Sequence, residues 1–147
     1  MAALLLVVAA AAPLAALGLL FADWFEPRGN FLVLFSNVDG VTFHPSAFDA
    51  SSNQAALIAV LAVVTSASAL VAARGRFVAW TAGAAASGMG AAVCLYLRES
   101  PPRPAPNVFT PPELALQPTA APLIVTACLI FAGVCLTAWA MIARRSA

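Results

Sequence analysis

The run APLIVTACLIFAGVCLTAWAMIA, residues 121–143, decides the fold. It holds 23 residues without a charge and is closed by Arg144 and Arg145. As a helix it is about 34 Å long, enough to cross a bilayer core of about 30 Å. In lipid, backbone N–H and C=O groups have to bond within their own segment, so a run of this length reads as a helix. Three more charge-free runs have the same character: 2–21, 55–73 and 77–97, of 20, 19 and 21 residues. The sequence therefore predicts an all-α membrane protein, a bundle of four transmembrane helices, as a single membrane domain over 1–147 with outer loops 22–54 and 98–120.

Composition agrees. Hydrophobic residues make up 63% of the 147 residues and charged ones only 9%, against about 25% in a soluble domain. A net charge of +1 excludes a nucleic-acid-binding protein, which needs a basic surface to displace phosphate counterions. Disorder is excluded as well, since it requires low hydrophobicity and high charge. All seven basic residues are Arg and 36 residues are Ala, a bias of high-GC bacterial genes that places the chain in a bacterial plasma (inner) membrane. A secretory signal peptide is the other reading of 2–21. The missing basic n-region, the long apolar run and the lack of a clear small-x-small cleavage site favour a retained helix.

Arginine placement sets the expected orientation. Arg74, Arg76, Arg144 and Arg145 stand with no acid near them, whereas segment 22–54 carries Asp23, Glu26, Arg28, Asp39 and Asp49. Segment 98–120 balances Arg98 and Arg103 against Glu99 and Glu113. Positive residues stay on the cytoplasmic side, so both termini and the 74–76 turn are expected there. Trp24 and Tyr96 are expected in the outer aromatic belt, and Trp80 and Trp139 in the inner one.

The first outer loop contains Phe31, Leu32, Val33, Leu34 and Phe35, a β-prone run. Asp39-Gly40 and then Val41 to His44 follow it. An Asp-Gly turn between such runs predicts a small extracytoplasmic β-hairpin. In a strand, Phe31, Val33 and Phe35 face one way and Leu32 and Leu34 the other. Both faces are then apolar outside the membrane, and one needs a cover, which makes 31–35 a candidate partner contact. Dipping into the outer bilayer interface is the other reading. Asp49, Ser51 and Ser52 offer N-caps for the second helix. The second loop holds seven prolines between Arg98 and Thr119, so extended structure is expected, with one short helical turn over 111–116. It reads either as a recognition segment or as a stiff linker over the bundle.

Chemistry-bearing residues are sparse. His44 is the only histidine, so a haem held by two histidines of this chain is excluded. Cys94, Cys128 and Cys135 all lie in apolar runs, and an odd count with none in a loop argues against a disulfide framework. Cys128 and Cys135 share a helix face, where a thiol pair or metal site competes with simple packing. The helix hydroxyls of Thr65, Ser66, Ser68, Thr81, Ser87, Thr126 and Thr137 are expected to bond to their own helix carbonyls. No ionisable Asp, Glu, Lys, Arg or His falls inside a span, which disfavours ion or proton conduction. Gly83, Ser87 and Ala91 recur at spacing four, with Gly88 and Gly90 nearby. Such small-residue rows allow close helix approach, either as a partner contact at Gly83 and Ser87 or as packing within the bundle.

Three features resemble small actinobacterial four-helix membrane proteins of the tryptophan-associated transmembrane type, and more distantly claudin-like proteins. They are Ala22-Asp23-Trp24-Phe25 just outside the first helix, the β-prone first loop, and the short Arg-rich turn at 74–76. The claudin-type pair of loop cysteines is absent. The resemblance concerns topology and implies no catalytic residues.

The expected function is that of a non-catalytic accessory or structural subunit. It would pack against larger integral membrane subunits of an inner-membrane complex, of respiratory oxidase or envelope-lipid type. No cofactor or metal is expected, and no enzymatic activity. The alternative is a small homo-oligomeric carrier or pore for an apolar or lipid substrate. Third comes an enzyme on lipids using Asp23, Glu26, Asp39, His44 and Asp49, which nothing in the sequence pairs.

Overall fold

The computed structural model describes residues 2–27, 46–76, 78–100 and 116–145. Four long helices dominate: α1 (Ala2–Gly18), α3 (Ser52–Ala73), α4 (Ala79–Glu99) and α5 (Ala121–Arg145), with a four-residue helix α2 (Ala47–Ala50) ahead of α3. All four long elements are long and apolar enough to cross a membrane, α1 together with the 3₁₀ turn Leu19–Phe21 that ends it. Each helix packs on its neighbours in sequence and α5 returns to α1, while α3 and α5 barely touch. The bundle is thus a square with α1, α3, α4 and α5 at successive corners.

What holds the square together is side-chain size. Buried positions alternate in steps of three and four: Leu6, Ala9, Pro13 and Ala16 on α1, and Ala55, Ile58, Ala62, Thr65, Ala69 and Ala72 on α3. The same rhythm runs through Gly83, Ser87, Gly90, Cys94 and Leu97 on α4, and Pro122, Val125, Leu129, Ala132 and Leu136 on α5. This is the spacing of a coiled-coil seam, filled here mostly by small residues. Larger apolar side chains point outward, among them Leu4, Val7, Val60, Leu70, Ile130, Phe131 and Val134. Lipid is as apolar as leucine, so helices in a membrane associate by close backbone approach rather than by hiding apolar surface.

Local chemistry explains the ends. Gly75 takes φ +84°, the left-handed cap that a glycine adopts without strain, and its N–H donates to the Ala72 carbonyl at 3.0 Å. That cap lets α3 turn into α4 within a few residues. Pro122 sits in the first turn of α5, where a missing N–H costs nothing. Arg144 and Arg145 extend α5 past the expected end at 143, because a cation in the last turn complements the helix dipole.

A two-stranded antiparallel sheet joins the two outer loops: β1 (Phe25–Pro27) and β2 (Leu116–Pro118), with Phe25 opposite Pro118 and Glu26 opposite Gln117. It ties one loop to the other. The hairpin expected over 31–44 lies outside the described residues. Of the helical turn expected at 111–116, only Leu116 is described, and it is a strand residue.

Candidate functional site

The most elaborated part of the described structure is the cap where α1 ends and α5 begins. Trp24 is 0% exposed, so its ring packs wholly against the protein. Its indole N–H donates to the Leu19 carbonyl at 2.7 Å, closing the end of the 3₁₀ turn. Its own carbonyl accepts the Thr119 N–H at 2.9 Å. The Thr119 hydroxyl donates to the Asp23 carbonyl at 2.6 Å and accepts the Ala121 N–H at 3.2 Å. One hydroxyl thus caps α5 and fastens it to the chain leaving α1. Phe25 and Leu116 are buried beside Leu20, Leu97 and Val125 in the same apolar cluster.

Two of the acids that an enzymatic reading would use, Glu26 and Asp49, have structural partners. The Glu26 carboxylate accepts the Gln117 side-chain amide at 2.8 Å across the sheet. Asp49 belongs to a capping box on α2: its carboxylate accepts the Ser46 hydroxyl at 2.7 Å and the Ser46 backbone N–H at 2.9 Å. These two bonds, the hydroxyl first, hold the Asp49 carboxyl below its ordinary value. Of the expected caps, Ser51 does stand at the N-cap position of α3, without a side-chain bond. Asp39 and His44 lie outside the described residues, as do the partner-contact candidates Phe31, Leu32, Val33, Leu34 and Phe35.

Gly83 and Ser87 are buried between this chain's own helices. A Cβ on Gly83 would stand 2.7 Å from both the Ser68 Cβ of α3 and the Leu136 Cδ1 of α5. Ser87 fills the space that a side chain at Gly133 would need. The row therefore packs within the bundle. By contrast Gly88, with Ala85 and Ala92, faces outward on α4, and a Cβ there would meet nothing within 4 Å.

Hydroxyls inside the spans mostly behave as expected. Thr65, Thr126 and Thr137 donate to carbonyls four residues back, at 2.8, 2.8 and 2.9 Å. Ser66 differs: its hydroxyl crosses from α3 to the Ala10 carbonyl of α1 at 2.8 Å. Pro13 removes one backbone donor from that stretch of α1, and Ser66 brings a donor beside it. Cys94 and Cys135 are buried, Cys128 is half-buried, and all three are free thiols. Among the described residues no three of His, Cys, Asp and Glu gather as metal ligands.

The arrangement fastens the helices and the chain segments between them to one another. No family model matches the chain, and no curated protein or solved structure is similar to it.

Proposed function

We propose that the protein is a non-catalytic accessory or structural subunit of a larger complex in a bacterial inner membrane, with both termini cytoplasmic. The observation that carries this reading is how the bundle interior is used. Its helices meet through glycine, alanine and serine at close quarters. The Thr65, Ser66, Thr126 and Thr137 hydroxyls are spent on backbone carbonyls. The runs 2–21, 55–73, 77–97 and 121–143 hold no charged residue. An interior closed in this way has little chemistry to offer a substrate. The exterior is apolar and suits lipid or the helices of neighbouring subunits.

Co-purification from native membranes in a gentle detergent tests the reading. Larger integral membrane subunits in fixed stoichiometry support it. A self-oligomer alone supports the carrier or pore instead. Leu32→Asp combined with Leu34→Asp is expected to weaken assembly while membrane insertion persists. Normal recovery of partners with that double variant removes 31–35 from the contact.

A further inference from the structure

We propose that the arginine end of the bundle is a docking surface for anionic lipid headgroups and selects phosphate-bearing lipids of net negative charge over zwitterionic ones. The charges of the described residues separate by end. Asp23, Glu26, Asp49, Arg98 and Glu99 lie at the capped end, and Arg74, Arg76, Arg144 and Arg145 at the other. Those four arginines are exposed, and the acids of the described residues, Asp23, Glu26, Asp49 and Glu99, all lie at the opposite end.

The square adds geometry to the charge. Helices α3 and α5 run in the same direction and occupy opposite corners, so the pair at 74 and 76 and the pair at 144 and 145 face each other across the base. The remaining two corners are the N-termini of α1 and α4. Neither has an acidic residue in its first turn, and α4 has no side-chain cap. Their positive dipole ends oppose the negative C-terminal ends of α3 and α5 at the same base, so the four arginines set the net charge there. The capped end is the reverse: Thr119 caps α5 and the Ser46–Asp49 box closes α2. Guanidinium forks bind phosphate oxygens in bidentate fashion, and the half-buried Trp80 and Trp139 lie within two helical turns of Arg76 and Arg144 along the chain, where amphipathic rings suit a wet helix end. Arginines that only set topology would orient the chain equally well in any bilayer and confer no headgroup preference.

This inference does not depend on the subunit reading, and the full chain in nanodiscs tests it. Protein would be reconstituted in phosphatidylcholine containing a minor share of phosphatidylglycerol, then released gently for native mass spectrometry of retained lipid. Several basic side chains beside an anionic headgroup are expected to enrich phosphatidylglycerol about threefold or more over its bilayer share. The enrichment is expected to fall with rising ionic strength. Replacing all four arginines by glutamine should bring retention to parity, whereas Arg98→Gln at the far end should leave it unchanged. Parity in the unaltered protein overturns the proposal without any variant. So does enrichment that survives both high salt and the fourfold replacement. Displacement of the lipid by inorganic phosphate alone would assign the surface to a free anion and overturn the headgroup assignment.

Discussion

The indole of Trp24 and the carbonyl of Leu19 form a 2.7 Å hydrogen bond inside an apolar cluster where the ring is wholly covered. Trp24 thus terminates α1 and fills the space between α1 and α5. Leu19 also accepts the Ala22 N–H at 3.3 Å, so Trp24→Phe leaves that carbonyl with a partner and is expected to cost about 1 kcal/mol. Trp24→Ala empties the cluster and is expected to cost about 3–5 kcal/mol. Thermal unfolding in detergent reads both, and an unshifted midpoint for Trp24→Ala would contradict the role assigned to the ring.

Two glycines on one helix should respond differently. Gly83→Ala places a methyl against Ser68 and Leu136 and is expected to destabilise by about 1–3 kcal/mol, with Gly83→Leu worse. Gly88→Ala meets open space and is expected to stay within about 0.5 kcal/mol of the parent. Equal melting points for Gly83→Leu and the parent would mean that α4 does not pack as described.

Asp49 gives a pH dependence of definite sign. Bonds from the Ser46 hydroxyl and backbone N–H hold its folded carboxyl below the ordinary 3.8. A depressed folded pKa contributes stability above the unfolded value, and that contribution fades as pH falls through the folded one. Order in α2 is therefore expected to persist at neutral pH and to weaken only below pH 3.8. Ser46→Ala should move the Asp49 midpoint upward toward 3.8. Carboxyl NMR titration measures it; a midpoint that does not move would remove Ser46 as the cause.

Orientation is open to direct labelling. A cysteine introduced at Ser146 is expected to resist an impermeant maleimide in intact cells and to react after permeabilisation. Reaction in intact cells would invert the topology.

The four spans were legible because charge-free runs of this length have few other physical outcomes. Their edges were less so. Ser52, Asn53 and Gln54 are helical although polar, since a hydropathy reading trims residues that a helix tolerates outside lipid. The seam was hidden for a different reason. Every face of these helices is apolar, so the inward face differs in side-chain volume and not in hydropathy. Gly83, Ser87 and Gly90 carried that signal. The sheet was not legible at all. While 31–35 and 41–44 lie outside the described residues, the described strands, Phe25-Glu26-Pro27 and Leu116-Gln117-Pro118, each hold a proline and neither is a strong β-former overall. Their pairing follows from where α1 ends and α5 starts, information that exists only after the helices have docked. The burial of Trp24 was hidden for a related reason: only tertiary packing covers its ring.

The bond from Thr119 to Asp23 spans 96 residues, and α1 rests on α3 and on α5, which follows it by about a hundred residues. α1 therefore waits until α5 has been made before its second flank is covered and its exit is tied. Until then Trp24 and Phe25 lack the residues that enclose them at Leu116 and Val125. A chain truncated before 116 would carry this unfinished edge into the membrane. Closure of the strap thus requires a chain that has been made through Thr119 and Val125, and an uncovered tryptophan marks a chain that has not.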